Sequence, residues 1–307
     1  MRGTTVIQCA ISADLTCRCW RGQGACTLDV CPDRGRRRVQ DKKPHEVRRR
    51  WLDMIQPLKI AHTSDVHLFD GEEGLPIRKA FTEVVDAVLE TKSGLFLIAG
   101  DLFDHNRIYG DVIEFVYAQL ARVPCPTVII AGNHDCWEDE RAILQRMDFR
   151  NEAGHHITLL DQADGASVEF PELHATVWGR CMLEHTLDYK PMAGAPPRTR
   201  ELWHIGMAHG LYVDYDETER SSLITPKEIE ASGFDYLALG HVHLHRQMRH
   251  GNTLACYPGA PVPYDDSEPG CITIVDLIPG VGARACEHRL GSAVAHRPGR
   301  ASTARAA

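Results

Sequence analysis

The sequence predicts an α/β fold in which two β-sheets pack face to face with helices outside, a single domain of about 230 residues. Short apolar runs alternate with amphipathic stretches in a β-α-β-α-β order from Leu58 onward, and a second set of strand-like runs follows up to Leu277. The composition, 43% hydrophobic and 25% charged, supplies a sizeable core and excludes a disordered, fibrous or membrane chain.

Residues 58–63 read as the first strand. Over 77–89, Ile77, Phe81, Val84, Val85 and Val88 share one face, which predicts a helix. Residues 95–99 are a strand, 112–120 a helix, and 127–131 a strand entering a loop before a helix expected around 138–147. Short strands are expected near 157–160, 167–170, 175–178 and 202–208. A helix then opens at Thr225-Pro226, a capping residue followed by proline at the first turn. Strands at 236–239, 253–257 and 271–277 complete the set. Trp137, Trp178 and Trp203 are read as core aromatics, and 214–219 as a solvated acidic loop.

The flanks differ from this body. Residues 1–53 lack helical or strand period, carry 12 Lys+Arg against 6 Asp+Glu, and include the runs Arg36-Arg37-Arg38 and Arg48-Arg49-Arg50. They read as a disordered basic leader, and Met54 offers a second start just ahead of the first strand. Cys17-x-Cys19 and Cys26-x4-Cys31 fall short of the paired knuckles of a structural zinc site. The body cysteines, irregularly spaced, read as small buried hydrophobes without a disulfide framework. Residues 279–307 read as a loose tail, leaving a folded unit over 54–278. With no secretory signal and no apolar run of roughly 20 residues, the expected compartment is the cytoplasm, with no membrane partner. The net charge is −8, and residues 54–307 carry 22 basic and 36 acidic side chains. That acidic body does not attract a polyanion over long range, so a nucleic-acid substrate needs a local basic path or cations at the site.

Metal-ligand residue types cluster at strand ends. Asp65 and His67 follow the first strand; Asp101 and Asp104 follow Gly100 after the second. Asn133, His134 and Asp135 follow Gly132 after the third, His209 ends the 202–208 run, and His241 and His243 follow Gly240. Sites in α/β sheets assemble beyond the carboxyl ends of strands. Mixed Asp, Asn and His ligands suit Mn, Fe or Zn, and a shared carboxylate holds two ions about 3.5–4 Å apart. Each short motif alone is more often a loop or capping feature; five in order point to a two-metal site.

The order D-x-H, G-D-x-x-D, G-N-H-D, His209 and G-H-x-H resembles the calcineurin-like metallophosphoesterases over residues 58–277. Gly100 to Asp104 (G-D-L-F-D), Ala208-His209-Gly210 and the stretch 237–261 are most similar to the catalytic domain of SbcD-type DNA repair exonucleases. The resemblance implies a four-layer sandwich and two divalent ions, Mn2+ first with Fe, Zn or Mg as alternatives. Asp65, His67, Asp101 and His243 would hold one ion, and Asp101, Asn133, His209 and His241 the other, with Asp101 bridging. His134 would lie over the phosphate as a non-ligand, held and polarised by Asp104, while an activated water attacks phosphorus in line. DNA is the implied substrate, and dimerisation is a family habit. This sequence has Ala260 where the nucleases carry the serine of Y-x-G-S-P. About thirty residues follow Leu277, so the capping region and the docking helices for the coiled-coil ATPase partner are not expected.

Other readings remain open. A phosphoesterase for a small substrate, such as a cyclic nucleotide or a nucleotide-sugar, fits the acidic body. A protein phosphatase is disfavoured because His105-Asn106 follow Asp104 where such enzymes show Arg-Gly, and a non-catalytic scaffold because every ligand position is filled. His62, His105, His155, His156, His204, His245 and His250 are read as ordinary core or surface residues, with His245 extending the alternation from His243 toward the pocket.

Overall fold

The computed structural model describes residues 55–138, 140–198, 202–214, 220–263 and 269–291. The expectations for the leader 1–53, for the acidic loop beyond Asp214 and for residues 292–307 lie outside the described residues.

The first sheet is built on β1 (Leu58–Thr63), β2 (Leu95–Ala99), β3 (Thr127–Ile130) and β4 (Ile157–Leu159), all parallel. The second contains β5 (Ala166–Phe170), β6 (Ala175–Gly179), β7 (Trp203–His209), β10 (Tyr236–Gly240), β11 (His245–His250) and β12 (Thr253–Pro258). Its centre, β6, β7, β10 and β12, is parallel, and β5 and β11 close its edges antiparallel. A two-residue ladder joins β8 (Leu211–Tyr212) to β9 (Leu223–Ile224). β13 (Cys271–Ile278) returns antiparallel to β1 and carries β14 (Gly282–Arg289), so the first sheet runs β14-β13-β1-β2-β3-β4.

The central strands are apolar on both faces because both faces are covered. Ile60, Leu95, Leu97, Val128 and Ile130 point inward against Val177, Ile205, Met207 and Ala238 of the second sheet. Ala61, Phe96, Ile98 and Ile129 point outward and bury Ile77, Phe81, Val84 and Val88 of α1 (Leu75–Glu90) and Val112, Val116 and Leu120 of α2 (Asp111–Leu120). On the far side, Leu237, Leu239 and Ala255 pack on Ile229 of α5 (Pro226–Ser232) and on Phe234. The layers are therefore helix, sheet, sheet, helix, as the sequence predicts. Among the described residues no helix is long and apolar enough to cross a membrane.

Two expectations are corrected. The helix expected around 138–147 is only α3 (Ile143–Arg146), followed by α4 (Phe149–Glu152). Met147 is extended, and the Asp148 side chain accepts from the amide of Asn151 at 3.2 Å, so a new N-cap interrupts the periodic run. The loose tail expected from 279 contains β14, paired with β13 over eight residues after a turn in which the amide of Val281 donates to the carbonyl of Ile278. Its sequence, with Ala283 as the buried contact, carries little apolar signal. Trp178 and Trp203 are core residues, and Trp137 packs against the core half-buried. Five of the six described cysteines are buried, and Cys286 on β14 is exposed.

Candidate metal centre

The parallel strands β1, β2 and β3 deliver their loops to one edge of the first sheet, and β7 and β10 deliver theirs from the second. The loops after β1 and β2 are joined by main-chain hydrogen bonds, Asp65 amide to Gly100 carbonyl at 3.1 Å, His67 to Asp101 at 3.0 Å and Leu68 to Leu102 at 2.9 Å. Asp65, His67, Asp101 and His241 all hold positive φ, at 55°, 56°, 53° and 100°. Such backbone costs about 1–3 kcal/mol per residue and persists where the surroundings over-determine it. Gly132 is required here, since a Cβ would lie 2.2 Å from Oδ1 of Asp101.

All seven residues expected as ligands come together. Nε2 of His67 lies 3.3 Å from Nε2 of His243, which lies 3.4 Å from Oδ1 of Asp65. Oδ1 of Asn133 meets Nε2 of His209 at 3.0 Å and Nδ1 of His241 at 2.9 Å. Between these groups sits Oδ2 of Asp101, 3.8 Å from Nε2 of His67 and 3.4 Å from Nε2 of His209. Asp65, His67, Asp101 and His209 are buried, while Asn133, His241 and His243 border solvent.

Burial disfavours charge on the two carboxylates, yet His243 beside Asp65 and His209 beside Asp101 hold both below the ordinary carboxylate range. Burial also disfavours an imidazolium at His209, but Asp101 and Asp65 overcome it and raise that ring to about 9. His241 goes the other way, lowered to about 4 by burial and by its neighbour His209. With Nδ1 of His209 donated to the carbonyl of Ala99 at 2.9 Å, its Nε2 is aimed at Asp101 and Asn133. Carboxylate, amide oxygen and imidazole nitrogens thus crowd together, a donor set that fits divalent cations. Asp65 with His67 and His243, and Asp65 with Asp101 and His209, each bring ligand atoms within 4.8 Å of one another.

Asp104 lies beside both His67 and His134. Its carboxylate meets Nδ1 of His67 at 3.1 Å and stands 3.7 Å from Nδ1 of His134. His134 is held instead by the main-chain carbonyl of Asp104, at 2.8 Å from Nδ1, and its own amide donates to Oδ1 of Asp101 at 2.8 Å. The His134 ring packs edge-on against His67, with centroids 4.5 Å apart.

Sequence reasoning gave Asp135 no role. Its buried carboxylate accepts from the amides of Gly132, Leu102 and Phe103 at 2.8, 2.8 and 3.2 Å, and of Asp101 at 3.3 Å. Burial and the nearby Asp101 raise it to about 6. It ties the second and third ligand loops together. The signal available was its place in the G-N-H-D run; its partners are main-chain atoms, which no side-chain motif reveals.

Comparisons with known proteins agree with this geometry. The SbcD component of the nuclease SbcCD from Bacillus subtilis (strain 168) is 25% identical over 278 residues, covering 76% of this chain and 70% of that protein. The DNA double-strand break repair protein Mre11 of Methanopyrus kandleri is 26% identical over 235 residues, covering 67% of this chain and 49% of that protein. One solved crystal structure superposes with a TM-score of 0.52 at 10% identity, covering 77% of this chain and 100% of its own, which speaks for the fold alone. The model of the calcineurin-like phosphoesterase family matches residues 58–245, the span that carries all five ligand loops, and the chain belongs to that family of metal-dependent phosphoric ester hydrolases.

Proposed function

We propose that the chain is a two-metal phosphodiesterase acting on DNA in the manner of an SbcD-type exonuclease, with Asp65, His67, Asp101 and His243 holding one cation and Asp101, Asn133, His209 and His241 the other. The observation that carries this reading is the position of Asp101 Oδ2 between His67 and His209, where one carboxylate serves both ligand groups. When bound, two divalent cations supply Lewis acidity toward the phosphate and a hydroxide nucleophile at neutral pH. The protein's own part is to orient. His134, placed against His67 by the Asp104 carbonyl and partly exposed, is free to contact a phosphate oxygen or protonate the departing oxygen. Its amide steadies Asp101 at the same time. The DNA assignment extends from the two relatives, a nuclease subunit and a DNA double-strand break repair protein, and Mn2+ as the working ion and a cytoplasmic location belong to the same proposal.

The acidic body favours a second reading, a small phosphodiester such as a cyclic nucleotide. Both are tested by incubating the purified protein with Mn2+ and either end-labelled DNA or a panel of small diesters. Degradation of DNA that stops with chelator and in Asp101→Asn is the expected result. His134→Ala is expected to keep its metal and lose turnover by on the order of 10²–10⁴. Intact DNA beside rapid cleavage of a small diester rejects the first reading in favour of the second.

A further inference from the structure

The outer edges of the two sheets, β11 and β14, lie side by side and begin at the metal centre. β11 opens at His245, two residues after His243. The carbonyl of His243 accepts from the amide of Ala260 at 3.1 Å, the carbonyl of Ala260 accepts from the amide of Cys271 at 3.2 Å, and Cys271 pairs with Arg289 at the end of β14. Three main-chain steps of about 5 Å each thus lead from His243 to Arg289. From there the edges run in opposite directions away from the centre. Nδ1 of His245 meets Oγ1 of Thr273 at 3.1 Å, and further along the side chains of Gln247 and Arg249 donate to the carbonyls of Ala285 and Ala283 at 3.1 and 2.9 Å. An open groove of about 390 Å³ lies between the strands, lined by Gln247, Arg249, Ala283, Arg284 and Ala285. With those two carbonyls taken, β14 is a poor template for a further strand, and the edge presents side chains.

Those side chains reverse the charge of the rest of the body. Residues 54–307 carry 22 basic and 36 acidic side chains, yet β11 and β14 carry Arg246, Arg249, Arg284 and Arg289 against the single acid Glu287. Glu287 pairs with Arg289 at 2.9 Å. Among the described residues Arg246, Arg249 and Arg284 are in no ion pair, whereas Arg78, Arg122 and Arg198 each hold an aspartate. Asp276, the cross-strand neighbour of Arg284, turns to Lys59 at 4.0 Å. Alternation along the strands puts Arg249 over the groove, with its guanidinium on the carbonyls of Ala283 and Asn252, and sends the exposed Arg246 and Arg284 to the two outer shoulders. The Arg246 guanidinium is steadied over the ring of Tyr212, 5.0 Å from its centroid. Positive charge left uncompensated along one edge of an acidic body is an electrostatic footprint for a polyanion.

We propose that the edge formed by β11 and β14 binds the phosphate backbone of a DNA strand, which leaves the metal centre past His243 and runs along the groove between Arg246 and Arg284. From His245 to His250 the path is about 17 Å long at about 3.4 Å per residue, room for about five nucleotides at about 3.4 Å per phosphate. The edge supplies the local basic path that an acidic body requires of an enzyme acting on DNA. Contacts to phosphate fix the position of the strand and carry no base information, so binding here is indifferent to sequence. This inference rests on the DNA reading of the centre.

The test uses the full chain loaded with Mn2+ and a fluorescent phosphorothioate oligo(dT), whose backbone is charged and resists hydrolysis, with Kd read by anisotropy over a series of salt concentrations. Arg246→Gln and Arg284→Gln are each expected to weaken binding about fourfold at roughly 0.15 M salt and to reduce the slope of log K against log salt by about 0.7. The double variant is expected to lose both increments, with Tm and bound metal per chain unchanged. Arg150→Gln removes the same charge from α4, which leads into β4 at the opposite edge of the first sheet, and is expected to bind as the wild type does. Wild-type Kd and salt slope in the double variant overturn the proposal, as does an equal loss in Arg150→Gln or a wild type that does not bind the oligonucleotide. Cleavage of ordinary oligo(dT) is followed in parallel. A wild type that binds through these arginines and leaves that DNA intact overturns the function reading and not the surface, so the two failures are told apart.

Discussion

Asp135 shows how much a single buried side chain organises. One carboxylate serves four main-chain amides from two loops, and removing it strands those donors away from water. Asp135→Ala is expected to cost on the order of 3 kcal/mol, read as a fall in the urea midpoint at unchanged slope. His62 behaves differently. It is fully buried on β1, with Nδ1 2.7 Å from the hydroxyl of Tyr236, and burial lowers it to about 3, outweighing the attraction of Asp65. The unfolded ring titrates near 6.5, so the stability its neutrality provides is complete above that pH and is lost as pH falls from 6.5 toward 3, where the unfolded chain takes up a proton the folded one refuses. Denaturant titrations from pH 8 to 4 are expected to show a steeper loss in the wild type than in His62→Gln. Parallel curves reject the assignment.

At the scale of elements, α5 carries a complete capping box: Thr225 Oγ1 accepts from the amide of Glu228 at 3.3 Å, and the Glu228 carboxylate accepts from the amide of Thr225 at 2.8 Å. The helix has only seven residues, so its end effects weigh heavily. Thr225→Ala is expected to lower stability by about 1 kcal/mol without altering metal content, measured by thermal melting. This helix was legible in the sequence because its signal is local: a cap followed by a proline at the first turn. The central strands were legible because burial on both faces leaves unbroken apolar runs, as in Leu95-Phe96-Leu97-Ile98-Ala99. The edges were not. β11 reads His-Arg-Gln-Met-Arg-His and buries only Met248, and β14 is equally polar, because an edge strand needs apolar contact on little of its surface. Their ladders are local, β11 with β12 and β14 with β13, but what holds the two edges together is long-range: the side chains of Gln247 and Arg249 of β11 donate to the carbonyls of Ala285 and Ala283 on β14, at 3.1 and 2.9 Å. No window of sequence contains both partners. The five ligand loops were legible from residue type and from position after strands. The route from Asp104 to His134 was not, since it runs through a carbonyl that every residue possesses.

On the scale of the whole molecule, the centre draws on both sheets. Asp65, His67, Asp101 and Asn133 come from loops of the first sheet, and His209, His241 and His243 from the second. The sheets meet largely through apolar packing, which is non-directional, with a few hydrogen bonds such as His62 to Tyr236, whereas bonds from the proposed ligands to a cation would fix both edges to one point. A cation that binds only the folded arrangement stabilises by about 2.7 kcal/mol at a concentration a hundredfold above its Kd. Because the ligands span the interface between the sheets, that stabilisation applies to the global unfolding of both and not to a single loop. Adding Mn2+ to chelator-treated protein is therefore expected to raise Tm as one cooperative transition, with protection from hydrogen exchange increasing on β1, β2, β7 and β10 together. In Asp101→Asn, which weakens the carboxylate shared by both ligand groups, the Mn2+ dependence of Tm is expected to collapse. Protection confined to the loops of one sheet, with Tm unmoved, is the outcome that defeats the picture of a centre clamping two sheets.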